Sequence, residues 1–441
     1  MNPPSVSAIV VNWNGREHLD SCIGSLLGLR PSLAELLVVD NGSTDGSVDH
    51  LRSGYPSVRI LENKSNLGFA RPNWDAAQQA QGDLLLFLNN DMRIAPEALQ
   101  HALPPFSDPS IAAVGLRILD WEGRALDFDG ASLQYLGYAT QKNIGRSYSA
   151  SDDSQVREEL FACGGAMIAR RSEFLRLGGF DPDFFAIYED VDFGWRIWLS
   201  GLRVMLAPQA LAYHRGHGTF GRHSSEKMRY LMHRNALLTV LKNYDDQNFQ
   251  KVFPVAILLS IKRALEFSRV DRESFYLWGR QEEALKHSSE DTVRECRDAI
   301  NHLVALDDVL TRLDFWLEKR AAVQMLRARP DSEIVRLFDE PLRMIMDRTG
   351  YLEAEEAWIA KTGLGKLFGP IDTGRAGLTE QRLHQKLYDL RRNIQHTEAV
   401  LEEANAKLRN IEQRSGHPVD LSIPGTRGVF YRLRRRLSGL F

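Results

Sequence analysis

The stretch Leu84-Leu85-Leu86-Phe87-Leu88 limits what this chain can fold into more than any other. Five apolar residues in a row, following the break at Gly82-Asp83, leave no polar face, so the run reads as a strand buried on both sides. It stops at Asn89-Asn90-Asp91. An acid delivered at the C-terminal end of a buried strand is how open α/β sheets present ligand-binding groups. A bland alternative is a polar turn ahead of the helix expected after Ile94-Ala95-Pro96.

The same pattern occurs twice upstream. Val6 to Val11 reads as a strand ending in Asn12-Trp13-Asn14-Gly15, with a helix expected over roughly Glu17 to Leu27. Leu36 to Val39 reads as a second buried strand ending in Asp40-Asn41-Gly42-Ser43-Thr44-Asp45, with Asp45 as N-cap of the next helix. A weaker strand over Val58 to Leu61 and a helix from about Asn73 to Ala80 complete the series. Strands alternating with helices imply right-handed βαβ units and a mostly parallel sheet, with the polar loops gathered at one edge.

Composition narrows the function classes. A chain of 441 residues with 43% hydrophobic content accommodates two or three domains, and a formal net charge of −3 argues against nucleic acid as a partner. Cys22, Cys163 and Cys296 are too few and too scattered for a disulfide framework or a zinc cluster, which points to a reducing cytoplasm. The apolar strand follows Met1 without the basic region and cleavage site of a signal peptide, and the run from Val252 to Ile261 is too short to span a bilayer. No G-x-G-x-x-G follows the first strand, and the P-loop pattern is absent. A nucleotide over these loops would instead be held by Asp40 or Asn41 at its base and by a metal at its diphosphate.

The set IVVNWN, VVDNGSTD, NLGFA, LLLFLNND, GGFD and YEDVDFGWR, in this order, resembles the family 2 glycosyltransferases of GT-A fold, within about residues 5 to 245. The likeness is greatest to the bacterial rhamnosyltransferase-like branch. It implies an α/β nucleotide-diphospho-sugar transferase fold, with Val11, Asn12, Asp40, Asn41, Asn90, Asp91, Gly164 and Gly165 toward the donor. It also implies a divalent cation, Mn²⁺ or Mg²⁺, at Asp91. The sequence departs from the pattern at Arg71-Pro72-Asn73-Trp74-Asp75, where small residues are usual. Arg71 is therefore read either as a donor-phosphate ligand or as a surface arginine. Asn41 stands where an acid is common, so a carboxylate contact to a pyrimidine becomes an amide contact.

Inverting glycosyl transfer needs a carboxylate to take the acceptor hydroxyl proton and a counter-charge for the departing diphosphate. Glu189 and Asp190 are expected to open a helix, whose free N–H groups favour ionised carboxylates. The resemblance makes Asp190 the base, with Asp192 and Arg196 a structural i,i+4 pair. Cys163 reads as a packed thiol. A last strand over Leu202 to Leu206 leads to a Gly-rich loop with His214 and His217, of which His214 is assigned as the metal ligand by resemblance.

Beyond residue 225 the chain reads as helical. The expected layout is a GT-A domain over 1–225, a helical accessory region over 226–375, a coiled coil over 376–415 and a basic amphipathic tail over 416–441. Leu383, Leu387, Leu390, Ile394, Thr397, Leu401, Ala404, Leu408 and Ile411 alternate spacings of four and three, a heptad seam that implies a homo-oligomer. In the tail, Phe430, Leu433, Leu437 and Leu440 share a helical face beside Arg434, Arg435 and Arg436, the layout of an interfacial membrane anchor. The reading is an inverting, metal-dependent glycosyltransferase moving a sugar, rhamnose by resemblance, from a nucleotide-diphosphate donor to a glycan or lipid-linked acceptor in surface polysaccharide or glycolipid synthesis. The location expected is cytoplasmic, peripheral on the inner face of the membrane. Two rivals are a sugar nucleotidyltransferase, which needs a Gly-rich basic loop that NWNGRE poorly matches, and a non-catalytic sugar-nucleotide-binding scaffold.

Overall fold

The computed structural model describes residues 4–151, 154–216, 225–268, 297–343, 345–346 and 348–368. The heptad segment, the basic tail, His217 and Cys296 lie outside the described residues.

The strand–helix alternation expected from the sequence is realised as β1 (Val6–Asn12), α1 (Arg16–Leu27), β2 (Glu35–Asp40), α2 (Ser47–Gly54), β3 (Arg59–Glu62), α3 (Ala70–Gln79) and β4 (Leu84–Leu88). β3, β2, β1 and β4 lie side by side and parallel, with Ala8 between Leu36 on one side and Leu86 on the other. Leu84 to Leu88 are at most 2% exposed, as a run without a polar face requires. Then come β5 (Met92–Ile94), α4 (Ala98–Ala102), β6 (Ile111–Asp120), β7 (Leu126–Phe128), β8 (Ala131–Leu133), β9 (Ala139–Gln141), β10 (Arg157–Glu158), β11 (Ala166–Arg170), α5 (Arg171–Arg176), α6 (Glu189–Leu199) and β12 (Arg203–His214). β11 is inserted antiparallel between β4 and β6, so the sheet is parallel at one end and mixed at the other.

Three boundaries differ from expectation for local reasons. α3 starts at Ala70 rather than Asn73, because the Phe69 and Ala70 N–H groups both donate to the Phe185 carbonyl. Pro72 then falls in the first turn, where its missing N–H is not needed. Asp45 is not the cap of α2; left-handed Gly46 is, while the Asp45 carboxylate accepts from the Ser47 and Arg16 N–H groups at 3.1 and 2.9 Å. β12 runs twelve residues rather than five, because after a bulge between Ala207 and Leu211 it resumes pairing with β6 and picks up β5. His214 is therefore the last residue of a strand and not part of a loop.

The helices that follow are α7 (Ser225–Asn243), α8 (Asp246–Ser268), α9 (Arg297–Thr311), α10 (Leu313–Met325), α11 (Asp331–Ile334), α12 (Thr349–Thr362) and α13 (Gly365–Phe368). They belong to the same compact unit as the sheet. Trp195 of α6 packs edge-on against Tyr244 and Phe338, both centroids 4.9 Å away. Buried Arg320 donates to the Leu241 and Tyr244 carbonyls, satisfying the C-terminal end of α7, and Asp245 caps α8 through the Asn248 N–H. Among the described residues no helix is long and apolar enough to cross a membrane.

Between α7, α8 and α9, His233 and His302 stack with centroids 3.7 Å apart. Burial lowers His233 to about 3 and His302 to about 2, with Arg263 adding to both shifts. Both rings are thus neutral in the folded protein and charge on unfolding below the ordinary histidine range. Their contribution is complete above about pH 6.5 and is lost as pH falls, by on the order of 2 kcal/mol per ring at pH 5. Denaturation midpoints should therefore drop between pH 7.5 and 5, and His302→Phe, which keeps the stack, should flatten that drop. An unchanged slope in the variant would remove this pair as the cause.

Candidate active site

A cavity of about 360 Å³ opens at the C-terminal ends of β1, β2 and β4. Its sheet-edge wall is Val11, Trp13, Asn41 and Asn89-Asn90-Asp91; Asn66, Gly68 and Phe69 form a second side. Phe185 and Ala186 and the first turns of α7, including Lys227, Met228, Tyr230 and Leu231, close the third.

Beneath this surface lies a buried amide and acid network. Asn12 donates to Asp40 at 3.3 Å and to Ser43 Oγ at 3.2 Å, and its carbonyl accepts from Asn90 at 2.8 Å. A Cβ on Gly15 would collide with Asn90 Nδ2 and Asn12 Oδ1, so a glycine is what leaves room for the Asn12–Asn90 contact at the start of α1. Asp40 accepts the Ser43 N–H at 2.9 Å. Asn12 and Asp40, expected at the donor, are buried behind the wall and hold it together.

Asn41 also departs from expectation. Its amino group donates to Asn66 Oδ1 and the Gly68 carbonyl at 3.0 and 2.8 Å, and its oxygen accepts from Asn63 and the Leu67 N–H, both at 3.1 Å. With two donors and two acceptors already engaged, it organises the Asn66–Phe69 turn and has nothing left with which to contact a pyrimidine edge. Arg71 grips Asp75 one turn along α3 at 2.8 Å, half exposed, and is not in the cavity wall, which is the surface reading. Gly164 and Gly165 are buried away from the cavity too. The Gly164 N–H donates to Asp190 Oδ2 at 2.8 Å, and Gly165 packs against Asn89 and Met92.

Asp91 and His214 are brought together. β5 and β12 pair antiparallel with His214 opposite Met92, and His214 Nε2 lies 3.3 Å from Asp91 Oδ2. Nδ1 lies 2.5 Å from Asp127 Oδ2, a carboxylate not singled out in the sequence. Burial opposes charge on the imidazole, but Asp91 and Asp127 on its two sides outweigh it and raise His214 to about 10. The donor set of carboxylate and imidazole, the latter oriented by a second carboxylate, fits a divalent cation. Among the described residues no cluster of three acid, histidine or cysteine side chains forms a closed metal cage. A cation here would draw its other ligands from a diphosphate and water.

Asp190 lies in the first turn of α6, preceded by Phe185, Ile187 and Tyr188 at φ of 65°, 70° and 67°. Positive φ in bulky non-glycine residues costs about 1–3 kcal/mol each and is kept only where the surroundings impose it. Asp190 accepts the Gly164 and Val191 N–H groups, both at 2.8 Å, yet burial outweighs them and raises its carboxyl above the usual range. Glu189 is raised further by burial and by the adjacent Asp190 charge, and its Oε2 has no hydrogen-bond partner among the described residues. Contrary to expectation, the helix terminus does not hold these carboxyls below the usual range; burial raises both. Asp192 is the opposite case. Burial disfavours its charge, but Arg196, Lys242 and Asn243 at 2.8, 2.8 and 2.9 Å hold it low, so the Asp192–Arg196 pair is structural. The Cys163 thiol is pushed up by burial and by the nearby acids, which leaves it an inert packed group.

Residues 7–177 match the profile of the family described as Glycosyl transferase family 2. That stretch is similar to the family 2 glycosyltransferases. Over 223 residues the chain is 32% identical to the O-antigen biosynthesis protein RfbC of Myxococcus xanthus, taking in 48% of this chain and 17% of that protein. Over 234 residues it is 26% identical to an N-acetylglucosaminyl-diphospho-decaprenol L-rhamnosyltransferase of Mycobacterium tuberculosis, 48% of this chain and 76% of that one. The chain thus spans well under two thirds of the first of these relatives. Among solved structures, GalNAc-T7 with UDP, GalNAc and Mn²⁺ is similar at 17% identity and a TM-score of 0.48, over 71% of this chain and 57% of that one.

The site is built partly from residues that reasoning from sequence passed over. Trp13 lay inside the quoted IVVNWN motif, one residue past the end of β1, and could have been found there. Asp127 sits in a three-residue strand within an irregular stretch. The cavity wall from α7 is set by tertiary packing alone, and no local pattern announces it.

Proposed function

We propose that this chain transfers a glycosyl group, with inversion, from a nucleotide-diphosphate sugar to a hydroxyl of a glycan or lipid-linked acceptor. The observation that carries the reading is Asp91, in the wall of a cavity on the C-terminal edge of a parallel sheet, paired with His214 at 3.3 Å. Trp13 offers an aromatic face to the nucleobase, a contact worth about 1–3 kcal/mol where bases stack on aromatic side chains. Asp91 and His214 would hold the divalent cation, which supplies positive charge to the diphosphate. Asp190 takes the proton of the acceptor hydroxyl as its oxygen bonds to the anomeric carbon; the bond to the diphosphate breaks and its electron pair leaves with the phosphate. The raised carboxyl of Asp190 suits a base better than an exposed aspartate would.

A rhamnosyl donor and a lipid-diphosphate acceptor are favoured by the name of the mycobacterial relative. Released nucleoside diphosphate, measured over a panel of sugar nucleotides with and without Mn²⁺, tests the reading. Cation-dependent release from the rhamnosyl donor is expected. Pyrophosphate release from a nucleoside triphosphate and sugar phosphate would instead make it a nucleotidyltransferase, and donor binding without turnover on any acceptor a scaffold.

A further inference from the structure

Residues 183–188 cannot hold their own shape. Three of the four positions 185–188, Phe185, Ile187 and Tyr188, have positive φ without being glycine, and the Ala186 N–H turns back to the Phe184 carbonyl at 2.8 Å. The segment ends directly at Glu189-Asp190, so its path sets where Asp190 stands. One side is pinned by the start of α3, where the Phe69 N–H donates to the Phe185 carbonyl at 2.6 Å. A Cβ on Gly68 would collide with that same oxygen, so the approach is as close as backbone permits.

The other side is pinned mainly from α7. Asn235, fully buried, turns its amino group onto the carbonyls of Phe184, Ala186 and Ile187 at 3.1, 2.8 and 2.6 Å. Arg234 donates through Nη2 to the carbonyls of Asp183 and Phe184, both at 2.9 Å, and through Nε to Asn235 Oδ1 at 3.0 Å. The two side chains thus satisfy four carbonyls that no strand or helix could serve at this backbone shape. Lys319 of α10 adds ion pairs to Asp181 and Asp183.

We propose that Arg234 and Asn235 are positioning residues for the transfer reaction, a two-residue clamp that holds the 183–188 segment in its strained path and so fixes where Asp190 stands. This rests on the reading of Asp190 as the base. It gives the helical region beyond residue 225 a part in the reaction. Neither side chain needs to touch substrate, since each acts through the carbonyls it holds.

The test compares Asn235→Ala and Arg234→Lys with Arg320→Lys in the full chain. Arg320 anchors the far end of α7 at Leu241 and Tyr244 and touches nothing in 183–188, so it reports stability loss alone. Amide hydrogen exchange over 183–190 should quicken at least tenfold in the two clamp variants, and kcat should fall at least tenfold. Affinity for free nucleoside diphosphate should fall by less than kcat does, because the sheet edge is untouched and only Phe185 and Ala186 of the cavity wall lie in the loosened segment. Arg320→Lys, at a matched melting temperature, should show neither effect. Equal loss of kcat in Arg320→Lys, or native exchange and kcat in a clamp variant, would overturn the proposal; if Asn235→Ala does not fold, Arg234→Lys decides. Asp190→Asn is run alongside. If it transfers sugar at the native rate the base has been misassigned, whereas quickened exchange in the clamp variants would still show that α7 holds the segment.

Discussion

Asp190→Asn is expected to lower the rate of sugar transfer by roughly 10²–10⁴ while leaving donor affinity intact, because the amide keeps the shape but cannot accept a proton. Its acceptor bonds to the Gly164 and Val191 N–H groups involve carboxylate oxygens, of which the amide retains one. The pH profile supplies an independent check. The base must be ionised to work, and burial lifts Asp190 above the ordinary aspartate value. Activity should therefore fall as pH drops through a limb lying higher than an exposed aspartate would give, and that limb should vanish in the residual activity of Asp190→Asn. Asp192→Asn is expected to behave differently. Asp192 is surrounded by Arg196, Lys242 and Asn243, so its loss should appear first in melting temperature. Normal transfer by Asp190→Asn combined with dead but well-folded Asp192→Asn would reverse the assignment.

The second large effect concerns Asp91. Removing one partner of a desolvated charged set costs about 2–5 kcal/mol, so Asp91→Ala should weaken nucleoside-diphosphate binding by that amount and abolish turnover. The loss should be visible by calorimetry with Mn²⁺ present and should largely disappear in chelator, where the wild type is already weakened. Full activity of the wild type in chelator would dispose of the cation altogether.

The sheet edge was legible because each buried strand needs an uninterrupted apolar run, and the break in that run marks where the loop begins. Leu84–Leu88 followed by Asn89-Asn90-Asp91 shows this directly. Which polar side chain faces the cavity was not legible. Asn12, Asp40 and Asn90 sit within a few residues of strand ends, and only their mutual hydrogen bonds decide that Asn90 lines the cavity and the other two lie behind it. His214 looked like a loop residue because Pro208 interrupts the strand pattern, and only pairing with β5 and β6 across the bulge carries β12 that far. Ionisation was misjudged at Asp190, since a helix N-terminus is visible in sequence whereas burial is not.

The saturated amide of Asn41 also bears on how such a domain changes over evolution. Replacing it with aspartate would set a carboxylate against Asn66 Oδ1 and the Gly68 carbonyl, two acceptors it now satisfies, and would loosen the turn that forms one side of the cavity. A lineage cannot alter its donor preference at this position without first rebuilding that turn. Met228 and Leu231 carry no such burden: they line the same cavity with apolar side chains from α7. Substitutions there reshape the space at small cost, whereas a change at Asn41 requires the Asn66–Phe69 turn to change with it.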